Sequence, residues 1–160
     1  MPTLPREWTD HLAAGVSLRV GSCSRDGRPG ICRALAADWL PDGRLSVFVS
    51  GDAGSEVLEA IADTGQVAVV LALPMSSRTL HVKGRDAVVA LAGPEHRPLL
   101  DTRFNAFAAQ LVHFGFDKEA LAKYWYTVRE DDLHAISFTI HGAWNQTPGP
   151  GAGQVVELLP

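Results

Sequence analysis

A chain of 160 residues has the length of one domain and can bury a single hydrophobic core. Apolar residues make up 46% of it and charged residues 20%, which excludes a disordered or fibrous protein. Its 14 basic and 18 acidic residues give a net charge of −4, which argues against nucleic acid and anionic membranes as partners.

Targeting and membrane-spanning segments are not expected. Residues 1–10 contain no hydrophobic stretch of the kind that a signal peptide needs. The longest apolar run, residues 67–74, is much shorter than the roughly 18 to 20 residues that cross a bilayer. The sequence therefore predicts a cytoplasmic protein without a membrane partner.

The first half of the chain is predicted to form three antiparallel strands joined by short turns. Apolar residues alternate with polar residues or glycine over residues 16–21, as in a strand with one buried face. Turns rich in aspartate, glycine and proline then separate the strands, and Pro41-Asp42-Gly43 is the clearest of them. The three strands are assigned to residues 16–21, 31–40 and 44–50.

The second half adds helices and three more strands. A short helix is predicted to begin at a Ser55 cap and to end near Gly65. Gly84 is expected to mark a bend in a long strand, and Asp117 to cap the second of two later helices. The three strands are assigned to residues 67–73, 78–91 and 133–144, and the two later helices to residues 94–115 and 117–126.

This order of elements predicts a mainly β protein. Six mostly antiparallel strands, a short inserted helix and a C-terminal helical pair are typical of a six-stranded split β-barrel with Greek-key-like order. The whole chain, 1–160, is assigned to one domain, and 146–160 to its proline- and glycine-rich tail.

Familiar catalytic motifs are missing from the sequence. It has no phosphate-binding G-x-x-x-x-G-K, no G-x-S-x-G and no H-E-x-x-H, and its six histidines are scattered, so no metal site is predicted. Cys23 and Cys32 flank the first predicted hairpin, where they either lie opposite each other or remain separate reduced thiols. The charged run at 129–132 is predicted to be a solvated loop rather than a pair of catalytic carboxylates.

Several short segments, taken in order, resemble the FMN-binding split-barrel family of pyridoxamine 5'-phosphate oxidase-like proteins. The resemblance covers roughly residues 7 to 153. Its segments are DGRP and CRAL at 26–29 and 32–35, LSVFVS at 45–50, RTLHVKGR at 78–85 and QTPGP at 146–150.

The resemblance implies a homodimer that binds two FMN molecules where the subunits meet and acts as an oxidoreductase on an unidentified small molecule. FMN would supply hydride or two-electron transfer, and no catalytic side chain is assigned. The implied cofactor contacts are Arg33, Ser55 and Arg78 to the phosphate, Ser50 and Thr79 to the ribityl chain or the polar ring edge, and Leu35 and Leu80 to the ring faces. Trp144 would cover the flavin from the partner subunit or anchor the interface.

The sequence departs from this family at the start of the first helix. Many flavin-binding members place Ser-Arg-Lys there to hold the phosphate, whereas this chain has Gly54-Ser55-Glu56. The two cations are missing, and Glu56 is expected to repel a phosphate. Two alternatives to an FMN-binding protein therefore stay open. The chain is either a split barrel that binds a different small ligand, such as haem, or an interaction module whose dimer surface is its function.

Overall fold

The protein is built from two antiparallel β-sheets and four α-helices. The structure, a computed structural model, describes residues 3–160 apart from the side chain of Glu130, so that Met1 and Pro2 of the predicted domain lie outside the described residues. The strands are β1 (Ser17–Cys23), β2 (Pro29–Ala34), β3 (Ala36–Trp39), β4 (Leu45–Ser50), β5 (Val67–Ala72), β6 (Thr79–Gly84), β7 (Val88–Leu91), β8 (Leu133–Phe138) and β9 (Gly142–Asn145). The helices are α1 (Arg6–Thr9), α2 (Gly51–Thr64), α3 (Arg97–Val112) and α4 (Lys118–Trp125).

The two sheets contain five and four strands. The five-stranded sheet has the order β2-β1-β5-β6-β9, and the four-stranded sheet has the order β3-β4-β8-β7. Every neighbouring pair is antiparallel. The prediction of a mainly β, antiparallel protein is confirmed at this level.

The count of six strands is wrong, because each of the three longest predicted strands is two strands in different sheets. Residues 31–40 divide at Leu35, residues 78–91 divide after Gly84, and residues 133–144 divide after Phe138. A side-chain Cβ at position 84 would overlap the ring of Phe138, so glycine lets the chain turn this corner in close contact with the aromatic ring. The described strands form two sheets joined at corners and no closed barrel.

Two hydrophobic clusters hold these layers together. The larger one fills the space between the sheets and beneath α2, with Val69, Leu80 and Phe138 among its fully buried members. The smaller one joins the four-stranded sheet to α3 and α4, where Phe104 and Phe107 pack on Trp125 with ring centroids 5.5 and 5.2 Å apart. Helix α4 begins after Asp117, whose carboxylate accepts a hydrogen bond from the amide of Ala120, so the predicted cap is confirmed.

The two cysteines do not face each other. The β1–β2 register places Cys32 opposite Val20 and Cys23 opposite Pro29. Cys32 is buried and Cys23 is exposed, and both are free thiols. Burial raises the pKa of the Cys32 thiol to about 11, which keeps it protonated and unreactive.

None of the helices in residues 3–160 combines the length and the apolar character needed to cross a bilayer.

Candidate ligand-binding site

A cleft opens where the end of β2, the start of α2 and the segment between α4 and β8 meet. Its volume is ≈ 460 Å³, within the range of about 300–1,000 Å³ that is typical of small-molecule sites. Its polar and aromatic lining includes Arg33, Ser50, Tyr124, Arg129 and Asp132, and Leu35 adds an apolar wall. We call it the Arg33 cleft.

Arg33 supplies the cleft with a cation that has no anionic partner. Its guanidinium carbon lies 4.4 Å from the ring centroid of Tyr124 and 4.7 Å from that of Trp125, which are favourable cation–π distances. The side chain is half-buried and makes no ion pair with any carboxylate in the described part of the chain. Burial lowers its pKa from the usual value, but an arginine at this site stays charged. Arg33 is therefore available to an external anion.

Arg129, the second arginine of the cleft, differs in this respect. Its guanidinium Nε and one Nη lie 2.9 and 2.5 Å from the two carboxylate oxygens of Asp131. Hydrogen bonding and the charge of Asp131 raise the pKa of Arg129. Its positive charge is already neutralised within the loop.

The start of α2 is capped by an acidic side chain of the same chain. Ser50 ends β4 in an extended conformation, and its hydroxyl oxygen accepts a hydrogen bond from the amide of Ala53, so Ser50 rather than the predicted Ser55 is the cap residue. The Ser50 hydroxyl in turn donates to Asp132 Oδ2 at 2.7 Å, and the amide of Asp52 donates to the same oxygen at 3.1 Å. A Cβ on Gly51 would overlap Asp132 Oδ1, which shows how closely the carboxylate packs on the helix start.

The Asp132 carboxylate is stabilised in its charged form. Burial by itself would raise the pKa of Asp132, but the hydrogen bonds from Ser50 and the helix amides, together with the charge of His134, lower it below its usual value. An anion at the positive end of a helix is favourable for the same reason. Asp132 therefore occupies the position in which a bound phosphate would meet the α2 amides. The prediction of a solvated loop at 129–132 is wrong for this residue, which is half-buried.

Three of the eight residues predicted to contact a cofactor line the Arg33 cleft, namely Arg33, Leu35 and Ser50. Ser55 does not, because it is exposed on the second turn of α2. Leu80 is fully buried in the larger hydrophobic cluster. The structure thus does not bring these last two to the cleft.

The remaining three lie in, or directly before, strands β6 and β9 of the five-stranded sheet. The guanidinium of Arg78 stacks on Trp8, 4.2 Å from its ring centroid. Thr79 donates its amide to Thr147 Oγ1 and its hydroxyl to the carbonyl of Ser77. Trp144 is in β9 at one edge of the sheet and Arg33 is in β2 at the other, roughly 19 Å away at four strand spacings of about 4.8 Å. Trp144 of the same chain does not line the Arg33 cleft.

Sequence reasoning missed Tyr124 and Asp132 as site residues. Tyr124 lies on α4 with 64% of its surface exposed, which is unusual for an aromatic side chain and points to a surface role. No local signal identifies Asp132, because its partner Ser50 is 82 positions away in the chain.

Comparison with known proteins gives matches by structure. No protein-family model matches the chain, and no relative is found among curated proteins. The HupZ structure from Group A Streptococcus covers 94% of this chain over 100% of its own length, with 13% identity and a TM-score of 0.57. A putative pyridoxamine 5'-phosphate oxidase from Lactobacillus delbrueckii covers 89% over 93% of its own length, with 16% identity and a TM-score of 0.53.

A third solved structure agrees with these two. It is a Clostridium acetobutylicum protein related to general stress protein 26, of the pyridoxinephosphate oxidase family, and covers 94% of this chain over 92% of its own length, with 12% identity and a TM-score of 0.53. The chain has the split-barrel fold of pyridoxamine 5'-phosphate oxidase-like proteins. The fold expected from the short motifs is thereby confirmed, and at these identities the likeness concerns the fold alone.

The cofactor associated with this fold fits the chain only in part. The start of α2 does not fit the phosphate of FMN, because Asp132 already accepts hydrogen bonds there and Asp52 adds negative charge. The Arg33 cleft does offer a guanidinium without an ion-pair partner in the described residues, an aromatic ring and the apolar Leu35. An anionic ligand with a planar part therefore matches the Arg33 end of the cleft but not the end formed by the start of α2, which is lined by Asp52 and Asp132.

Proposed function

We propose that this split-barrel protein binds a small organic anion in the Arg33 cleft, with the anionic group at Arg33. The observation that carries this proposal is the half-buried Arg33 guanidinium, which stacks on Tyr124 and Trp125 and has no carboxylate partner among the described residues. Burying an unpaired charge is unfavourable, so such a side chain is best explained by a partner that binds from outside.

FMN is the first candidate, because the fold is that of pyridoxamine 5'-phosphate oxidase-like proteins. When bound, FMN would supply hydride or two-electron transfer, which makes an oxidoreductase the corresponding activity. In this protein Arg33 would face the phosphate, Leu35 and Tyr124 would contact the apolar part, and Ser50 would remain engaged with Asp132. The substrate of such a reaction is an unidentified small molecule.

A ligand other than a flavin is the second candidate. It is favoured by Asp132, which excludes a phosphate from the α2 amides. Haem is one such ligand, since its carboxylates could pair with Arg33 while its apolar ring covers Leu35. Both candidates use the same cleft.

The absorption spectrum of the freshly purified protein decides between them. We expect either a flavin spectrum or a haem spectrum, and mass spectrometry of the heat-released chromophore identifies the compound. For colourless protein, titration with FMN, riboflavin and haem is the next measurement. Failure to bind any small organic anion at millimolar concentration would contradict the proposal.

We also propose that the protein is a homodimer. Ile31, on the outer face of the five-stranded sheet, has 73% of its surface exposed, and Val70 on the same face is half-buried. A stable contact there should bury on the order of 2,000 Å² in total. Light scattering at micromolar concentration is expected to give twice the 17.2 kDa mass of one chain. A monomeric mass would contradict this prediction.

A further inference from the structure

Another arginine, Arg19, lies directly beside Arg33. The β1–β2 register pairs Arg19 with Arg33 across the two strands, so that both side chains project from the same face of the sheet. Arg19 donates hydrogen bonds only to its own neighbourhood, from Nη1 to the carbonyl of Leu18 at 2.9 Å and to Ser17 Oγ at 3.5 Å. Within residues 3–160, no described carboxylate lies within ion-pair distance of either guanidinium.

This pairing is unfavourable as it stands. Like charges directly opposite each other destabilise an antiparallel strand pair, whereas opposite charges stabilise it. The repulsion is felt at Arg33, where the nearby charge of Arg19 adds to the effect of burial in lowering the pKa. An anion lying between the two guanidiniums would be attracted by both and would offset their repulsion.

A small cavity adjoins the pair. It has a volume of ≈ 140 Å³ and is walled by Phe107, Leu121 and the aromatic rings of Tyr124 and Trp125. Because Arg33 and Tyr124 line both this cavity and the Arg33 cleft, the two spaces are neighbours. The cavity is too small for a whole cofactor but large enough for one anionic group, and its aromatic walls keep part of the arginine pair away from solvent.

We propose that Arg19 and Arg33 form a two-arginine site for a phosphate group, with the rest of the ligand extending into the Arg33 cleft. Two guanidinium forks match the geometry and the charge of a phosphate, about −1.5 to −2 at neutral pH, better than those of a single carboxylate. This site would bind the phosphate in place of the α2 start, where Asp132 already accepts hydrogen bonds from the Ser50 hydroxyl and the Asp52 amide. The organic part of the ligand rests on the proposed function, but binding of the phosphate group does not.

Thermal unfolding of the 160-residue chain in inorganic phosphate tests the site directly. We expect phosphate to raise the melting temperature of the wild type by several degrees over chloride at matched ionic strength. Arg19→Gln should lose most of this rise and should melt no lower than the wild type in chloride, because the repulsion is gone. The wild type should therefore melt above Arg19→Gln in phosphate but not in chloride. A residue with a purely structural role is not expected to show this dependence on the salt.

Two control variants separate specific binding from general effects. Phosphate stabilises many proteins by exclusion from their surface, so Arg85→Gln, which removes one exposed charge of the same sign, should keep the full rise. Glu56→Lys should also keep an unchanged rise, since Glu56 lines a groove between the β1–β2 turn and α2 and lines neither the Arg33 cleft nor the small cavity beside Arg19.

Three results would overturn the two-arginine site. They are a full phosphate-dependent rise in Arg19→Gln, no difference between phosphate and chloride in the wild type, and a rise enhanced by Glu56→Lys but insensitive to Arg19→Gln. The last result would place the phosphate at the α2 start. A phosphate effect that depends on Arg19, in a protein that binds no organic anion, would instead contradict the proposed function alone.

Discussion

Replacing Arg33 by alanine is expected to lower the affinity for the anionic ligand of the cleft by roughly ten- to a hundredfold. Hydrogen bonds to a charged partner contribute about 1.5–3 kcal/mol, and each 1.4 kcal/mol corresponds to a factor of ten in the dissociation constant. Fluorescence or calorimetric titration with FMN, or with whichever ligand the purified protein carries, measures the change. The stability of the unliganded protein should fall by about 1 kcal/mol, because the cation–π contacts with Tyr124 and Trp125 are lost while Trp125 stays buried in the smaller hydrophobic cluster.

Arg78→Ala is the matched control for this measurement. The resemblance to the flavin-binding family assigned both arginines to the phosphate, but Arg78 stacks on Trp8 and does not line the cleft. We expect Arg78→Ala to keep the ligand affinity and to lose about 0.5–1 kcal/mol of stability with the cation–π contact. Equal losses of affinity in the two variants would show that a site completed by a second subunit uses both residues. Unchanged affinity in Arg33→Ala would place the ligand outside the cleft.

Replacing Asp132 by alanine is expected to destabilise the protein by about 1–3 kcal/mol. The Ser50 hydroxyl and the Asp52 amide lose their charged acceptor, and the positive end of α2 loses its counter-charge. Asp132→Asn should cost less, because its amide oxygen still accepts a hydrogen bond. Urea unfolding at neutral pH measures both, and Asp131→Ala, which breaks only the exposed ion pair with Arg129, should change the stability by less than about 0.5 kcal/mol.

The pH dependence of the unfolding free energy is a second test of whether the charge of Asp132 stabilises the protein. Its pKa is lower in the folded protein than in the unfolded chain, so its contribution is complete above the ordinary aspartate pKa of about 4. That contribution is lost as the pH falls through the lower pKa of the folded state. Below this range the wild type and Asp132→Asn should converge in stability. A difference between them that stays constant from neutral to strongly acidic pH would show that the charge of Asp132 does not stabilise α2.

Much of the local structure was predictable from sequence because its causes are local. The alternation in residues 16–21 corresponds to β1, and the Pro41-Asp42-Gly43 turn separates β3 from β4. Asp117 caps α4 through an amide three residues away, which is a short-range pattern. The capping assignment for α2 failed because two serines, Ser50 and Ser55, both preceded apolar residues at helical spacing. The structure chose Ser50, since β4 runs directly into the helix.

The candidate site was predictable only in part. Arg33, Leu35 and Ser50 were assigned through the order of short motifs, and they do line one cleft. Arg19 was not recognised, because strand periodicity shows that a residue faces outward but not which residue lies opposite it. Strand register decides that pairing, and register depends on the geometry of the β1–β2 turn and on packing.

The fold class, the main turns and the lack of arginine or lysine at residues 54–56 could be recognised from the amino-acid sequence alone. The folded chain was needed to show where the long strands pass from one sheet to the other and which helix Asp132 contacts. A bend at Leu35 or Gly84 costs little locally and is selected by the packing of the two sheets against each other. The contact of Asp132 with α2 spans 82 positions and forms because β4 pairs with β8, which brings Leu133 opposite Ser50. Hydrophobic periodicity carries no information about such pairing, so the acid that closes the helix start became visible only in the folded chain.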